Sequence, residues 1–188
     1  MLALVLAGAV PAVAAPPAVE TIERVAAVVD ERPLLLSDVR ALAAVRGLAQ
    51  AAALQAAIEE RLMYAEASRL AQAEVRAGDE DEALAALLMR SPDLAGSVLQ
   101  PDLRRLLRRQ LTILKYVEFR FRPQVRITDE QVRKAWETED VGRPSGVALE
   151  DAQDAIRARL ERRALDERVE AWVAELRARA DVRVVAPD

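Results

Sequence analysis

Apolar side chains recur every three or four residues along most of this chain, and that spacing constrains its fold more than any other feature. It places the apolar groups on one face of a helix, whereas a half-buried strand would alternate. Alanine, leucine and arginine dominate the composition, and aromatic residues make up only 3%. The sequence therefore predicts a mainly α fold of about six helices. Their expected spans are 38–48, 51–75, a helix that starts near 79, 103–121, a short helix after Thr128, and 149–180.

The length and composition bound the classes of protein to consider. With 188 residues, of which 52% are hydrophobic and 31% charged, the chain is able to bury one sizeable core, so we expect a single compact domain. It contains no cysteine and no histidine, which excludes disulfides, thiolate nucleophiles, serine–histidine triads and histidine-based zinc sites. A net charge of −4 gives no reason to expect nucleic acid as a partner. We predict no catalytic residue, no metal, no nucleotide and no other cofactor.

The first residues have the character of an export signal. Residues 1–18 carry no charged side chain, and Ala12, Val13 and Ala14 present a small-x-small cleavage site. We interpret residues 1–14 as a signal peptide and residues 15–188 as the mature domain. An uncleaved anchor is the alternative, but Pro11 and the prolines at 16 and 17 make this stretch a poor membrane-spanning helix.

Residues 23–40, ERVAAVVDERPLLLSDVR, combine a hairpin with the start of a helix. Residues 25–29 are a valine-rich run, residues 30–33 supply turn chemistry, and residues 34–36 form a return strand. Ser37 follows at the position where a helix N-cap accepts a backbone N–H. Residues 181–185, near the other end of the chain, also read as a strand.

Glycines and capping residues predict where the helices begin and end. We expect Gly47 and Gly78 to end the first two helices, and Pro101 to open the fourth. The acidic run at 79–82 suits the first turn of the third helix rather than a metal site. Thr128 with Gln131 forms a capping-box pattern for the fifth.

Three segments together resemble the SurA-type periplasmic chaperones. They are residues 23–40, the segment FRPQVRITDEQVRKAWE, and DAQDAIRARLERRALDERVEAWVAELRARADVRVV, which looks like the family's closing helix and last strand. The resemblance implies one chaperone core made of an N-terminal part (19–138) and a C-terminal part (149–188), with the last strand beside the hairpin. Residues 139–148 are a loop where the family carries parvulin isomerase domains.

The resemblance also implies a function. We expect an ATP-independent periplasmic holdase that binds unfolded exported polypeptides, outer-membrane proteins above all, through an apolar groove. One alternative is an envelope interaction module that docks one specific partner. The other is a peptidyl-prolyl isomerase, which would have to act without a parvulin domain, histidine or cysteine, so we expect no enzyme.

Two sets of residues are candidates for partner contacts. Adaptable or aromatic side chains near helix ends are candidates for the groove, although ordinary core is an equally good interpretation: Leu87, Leu88, Met89, Phe119 and Phe121. A basic patch lies opposite the apolar stripe of the fourth helix: Arg104, Arg105, Arg108 and Arg109. The patch is either a solvated helix face or a surface that attracts acidic client segments or anionic lipid. Trp136 and Trp172 are expected in the core.

Overall fold

A computed structural model describes residues 23–138 and 148–185 of the chain. These residues form a mainly α fold of seven helices with a three-stranded antiparallel sheet, as expected. The strands are β1 Val25–Val29, β2 Arg32–Leu35 and β3 Val182–Val184. The helices are α1 Leu36–Arg46, α2 Gln50–Ala67, α3 Ala77–Arg90, α4 Leu94–Ser97, α5 Gln100–Arg120, α6 Asp129–Thr138 and α7 Leu149–Arg179. The predicted signal peptide and all but the last residue of the predicted loop at 139–148 lie outside the described residues.

The small sheet joins the two ends of the described chain. Its strand order is β2-β1-β3, so the C-terminal strand pairs with the N-terminal hairpin, and this prediction is confirmed. Asp30 and Glu31 form the hairpin turn with positive φ angles of 46° and 66°. The Asp30 carboxylate accepts a 3.0 Å hydrogen bond from the backbone N–H of Asp181, which fixes the register of β3 against β1.

Apolar side chains gather in three clusters. The main core joins the sheet, α1, α2, α5 and the C-terminal half of α7, with Leu42, Ile58 and Leu106 almost fully buried. The second cluster joins α3, α4 and α5. The third lies between α6 and the N-terminal half of α7, around Val132 and Ile156. Because α7 contributes to the first and third clusters, it ties the α6 region to the main core.

An aromatic group secures α7 against α5. Trp172 is 6% exposed and stacks on Tyr116 with ring centroids 4.9 Å apart, while Phe121 packs against both rings. Trp172 is therefore a core anchor, as predicted. Trp136 is partly buried and packs against the third cluster.

Two predicted helix boundaries are wrong. The second helix ends at Ala67 rather than near Val75, because the chain turns there and the 3₁₀ turn Ala71–Ala73 packs against α5, with Ala73 buried in the main core. Gly78 does not end a helix but lies in the first turn of α3. Tertiary burial has overridden local propensity at the end of α2, whereas Gly78 is exposed and is simply tolerated near the start of a helix.

The predicted end signals have mixed outcomes. Gly47 adopts the left-handed conformation (φ 64°) and ends α1, as predicted. The Thr128 capping box is confirmed, because the Thr128 N–H donates to Gln131 Oε1 and the Gln131 N–H donates to Thr128 Oγ1. Ser37 is not the N-cap of α1: the helix begins one residue earlier, and the N–H of Ser37 donates to the Glu23 carboxylate over 3.2 Å.

Within residues 23–138 and 148–185, no single helix has the length and apolar content to cross a membrane. The helices α1 and α2 meet such a criterion only as a pair, and they are bent at 108° to each other.

Candidate polypeptide-binding groove

The five residues predicted to form a client groove do not share one environment. Leu87 is buried in the second cluster and Leu88 packs against it, whereas Phe121 belongs to the aromatic group of the main core. Met89 and Phe119 are exposed, by 77% and 52%. The structure therefore places three of the five in core packing and leaves two on the surface.

The predicted basic patch is neutralised by nearby carboxylates. Each of its four arginines forms an ion pair: Arg104 with Asp81 (2.6 Å), Arg105 with Asp102 (2.7 Å), Arg108 with Glu80 (2.6 Å) and Arg109 with Glu60 (2.8 Å). Because each charge is compensated at short range, its field falls off faster than that of an unpaired cation. These four residues make a poor surface for attracting acidic segments or anionic lipid.

Arg109 does not lie on a solvated face, and that prediction is wrong for this residue. It is 8% exposed and donates from Nε to Glu60 on α2 and from Nη1 to Asp38 on α1 over 3.2 Å. Gln110 donates to the second oxygen of Glu60 over 3.2 Å. Burial acts to lower the pKa of Arg109, but its hydrogen bond with Glu60 and the charge of Asp38 outweigh burial and raise the pKa. The guanidinium therefore stays charged and holds three helices together.

A groove of about 750 Å³ opens between the β2–α1 junction and the start of α5. We call it the Leu99 groove. Its apolar lining consists of Leu35, Leu36, Ala41, Ala44, Val98 and Leu99. Leu99 is 72% exposed. An apolar side chain held at the mouth of an apolar groove offers contact area to a partner.

The polar rim of the Leu99 groove is paired in part. Arg105 donates to Asp102 and, over 3.3 Å, to Ser37 Oγ, while the Ser37 N–H is taken by Glu23. Burial of Glu23 acts to raise its pKa, but hydrogen bonds from Ser37 and Arg24 outweigh it and lower the pKa. Arg24 and Arg40 also line the groove, and neither has a side-chain ion pair among the described residues, so the rim keeps a positive charge beside its apolar lining.

A second groove, of about 920 Å³, lies between residues 71–76, α3 and α5. Lys115 crosses it, donating to Asp79 over 2.6 Å and to the carbonyl of Glu74 over 2.9 Å. Its lining holds one large apolar side chain, Leu111, among alanines and charged groups. The Leu99 groove, with four large apolar side chains, is therefore the better site for an apolar segment.

The sequence analysis missed the Leu99 groove, although two signals point to it. Residues 34–36 are three leucines in a row, and a strand sends successive side chains to opposite faces, so one core cannot bury all three. Leu34 is 3% exposed in the main core, and Leu35 and Leu36 line the groove. Val98 and Leu99 form a second apolar pair just ahead of Pro101; Val98 packs partly against the first two clusters, whereas Leu99 stays 72% exposed.

No protein-family model matches this chain, and a search of curated proteins finds no matching sequence. In the described parts of the chain, no group of three or more acidic, histidine or cysteine side chains is arranged to hold a metal ion.

Proposed function

We propose that this protein is an ATP-independent periplasmic holdase, which binds apolar stretches of unfolded exported polypeptides, such as outer-membrane proteins, in the Leu99 groove. The observation that carries the proposal is the 72% exposure of Leu99 at the mouth of a groove lined by Leu35, Leu36 and Val98. An exposed leucine gains free energy when a partner covers it, at about 25 cal/mol per Å² of apolar surface removed from water.

The size of the groove suits weak, general binding. A volume of about 750 Å³ has room for a few client side chains rather than a folded domain. By mass action, a holdase at tenfold excess over its Kd stabilises the soluble unfolded client by about 1.4 kcal/mol, enough to delay aggregation without trapping the chain.

The arrangement of the chain ends also supports the proposal. The resemblance to SurA-type chaperones implies that the last strand lies beside the N-terminal hairpin and that the closing helix packs on the N-terminal helices. Here β3 pairs with β1, and α7 packs on α2 and α5 through Trp172 and Leu176. These are the features that the resemblance implies for a chaperone core.

Light scattering of an outer-membrane protein diluted from urea tests the proposal. We expect the purified protein, in several-fold excess and without nucleotide, to suppress the scattering. Leu99→Asp should remove most of the suppression, because it places a charge at the mouth of the groove. Met89→Asp is the matched control, since Met89 is equally exposed at 77% but lines neither groove, and it should leave suppression intact.

The result that overturns the proposal is unchanged scattering at every excess of a protein shown to be folded. Tight stoichiometric binding of one folded envelope protein, with no general suppression, would instead indicate a dedicated interaction module. Equal loss of activity in both variants would show that exposed apolar groups act without a specific groove.

A further inference from the structure

The two edges of the small sheet differ in their ability to accept another strand. One edge is β2, where Pro33 pairs with Val28 of β1. Residues 26 and 28 of β1, and Asp30 just after it, direct their backbone groups to the β3 side, because the Val185 N–H donates to the Ala26 carbonyl and the Asp30 N–H donates to the Asp181 carbonyl. The pair formed by Val28 and Pro33 is therefore a non-hydrogen-bonded one, and the nitrogen of Pro33 faces outward. Because a proline there has no N–H to donate, a further strand cannot form a regular hydrogen-bond ladder along β2.

The other edge, β3, has donors and acceptors directed outward. Arg183 of β3 and the flanking residues 181 and 185 direct their backbone groups to β1, as the same two hydrogen bonds show. By the alternation of an antiparallel ladder, Val182 and Val184 direct their N–H and C=O groups away from the sheet. In the described residues, β3 is the last strand of the sheet order, so no strand among them satisfies these groups.

The edge at β3 is apolar on the core-facing side of the sheet, where Val182 and Val184 lie, while Arg183 lies on the opposite side. Val184 and Val185 are 52% and 46% exposed, and Val182 is partly buried against the main core. Val184 pairs with Ala27, which is fully buried, so its side chain lies on the core-facing side of the sheet. An incoming strand would place alternate apolar side chains beside Val184 and continue the core by one layer.

We infer that the outer edge of β3 captures an extended segment of an unfolded polypeptide as a fourth strand. Main-chain hydrogen bonds to Val182 and Val184 hold the segment, and a β-branched or aromatic side chain packs beside Val184. Only an extended backbone presents donors and acceptors at the spacing of these two residues. The inference rests on the proposed function for the nature of the partner. It adds to the Leu99 groove, which binds apolar side chains, a second site that binds the client through its backbone.

Val184→Pro tests the inference, because it removes the outward N–H without removing a hydrogen bond to β1. The probe is a fluorescein-labelled peptide in which valine and threonine alternate, and its binding is followed by anisotropy. We expect Val184→Pro to weaken binding about fivefold or more, because the peptide loses one hydrogen bond and the proline ring occupies the space that its backbone would take. Val184→Thr keeps the N–H and the β-branched shape, and it should bind within about twofold of the wild type.

Amide hydrogen exchange on the wild-type protein gives a readout that does not depend on a variant. Added peptide should slow exchange at Val182 and Val184 and leave Arg183 unchanged, because the N–H of Arg183 is already bonded to β1. A copy of the peptide that is N-methylated at every residue should neither bind nor slow exchange. No slowing at Val182 and Val184 when the peptide is bound would overturn the inference, as would equal affinities of the Pro variant and the wild type.

The other occupant of this edge, a second copy of the chain, is distinguished by sedimentation of the protein without peptide. A dimer that Val184→Pro dissolves would show that β3 pairs with itself, and would overturn the inference. The proposed function fails separately: it fails when the wild type does not suppress scattering, whatever the peptide does at β3. If scattering is suppressed but β3 neither binds peptide nor gains protection, the holdase stands and the edge inference falls.

Discussion

Arg109 on α5 donates a 2.8 Å hydrogen bond from Nε to Glu60 Oε1 on α2, and the two residues are only 8% and 3% exposed. The same guanidinium reaches Asp38 on α1. Three helices therefore meet at one buried cation. Breaking such a group leaves uncompensated charge in the interior, which costs far more than the intact group contributes.

We expect Arg109→Met to lower the free energy of unfolding by about 3 kcal/mol, because Glu60 and Asp38 would lose their closest cation while remaining buried. Urea denaturation measures the change. Arg104→Met is the matched control on the same helix: its partner Asp81 is 63% exposed, so it should cost about 1 kcal/mol or less. Similar losses in the two variants would show that burial of the Arg109 group adds nothing.

Arg61→Met should stabilise the protein. The Arg61 Nε is buried and has no hydrogen-bond partner among the described residues. Its pKa is lowered by burial and by the neighbouring Arg109 charge, so the charged form is disfavoured there. Methionine fills a similar volume without these costs, and we expect the free energy of unfolding to rise by about 1 kcal/mol.

Thermal and urea denaturation both report the effect of Arg61→Met. Arg69→Met, at an exposed position just after α2, controls for the general effect of replacing an arginine and should change little. A clear loss of stability in Arg61→Met would mean that attraction to Asp38 outweighs the buried, unpaired nitrogen.

Gly47→Ala should lower the free energy of unfolding by about 1 kcal/mol, since alanine is strained at φ 64°. A Cβ added at Gly47 meets nothing within 4 Å, so the cost comes from the backbone and not from a clash. Gly78→Ala is the matched control, because Gly78 is helical and equally open. It should stabilise α3 by about 0.5–1 kcal/mol. Changes of the same sign at both positions would contradict this explanation.

Glu23→Gln should weaken the start of α1 in a pH-dependent way. Hydrogen bonds from Ser37 and Arg24 outweigh burial and lower the pKa of Glu23 below its ordinary value of 4.5. A carboxylate with a lowered pKa contributes stability above pH 4.5 that is lost as pH falls through the lower, folded-state pKa. The variant should therefore be less stable than the wild type at pH 7, and the difference should shrink below pH 4.5. A difference that is constant from pH 7 to about pH 3 would exclude a role for the charge.

Local signals in the sequence predicted the parts of the fold that depend on local chemistry. Gly47 and the Thr128–Gln131 pair each end or begin a helix through contacts within a few residues, and both predictions hold. The same reasoning failed at Ser37, where the N–H is satisfied by Glu23, 14 residues earlier. A cap supplied from another element leaves no local pattern.

The candidate site was less predictable than the fold. Helical periodicity assigns Arg109 to the polar face of α5, and only the positions of Asp38 and Glu60, 71 and 49 residues away, explain its burial. The Leu99 groove forms where β2, α1 and α5 meet, so its lining could not be assembled from any one amphipathic stripe. The sequence shows more apolar residues at 34–36 and 98–99 than one core is able to bury. It does not show that the two segments come together in one groove.

The strand β1 pairs with β3, which is synthesised much later than the hairpin. Asp30 and Asp181, which lock the two strands together, are 151 residues apart, so synthesis delivers the hairpin long before its partner strand. Until then β1 carries an open edge, and any chain that stops short of Val182 keeps it. Prematurely terminated products should therefore be recognisable by that exposed strand, which would mark them for association or proteolysis.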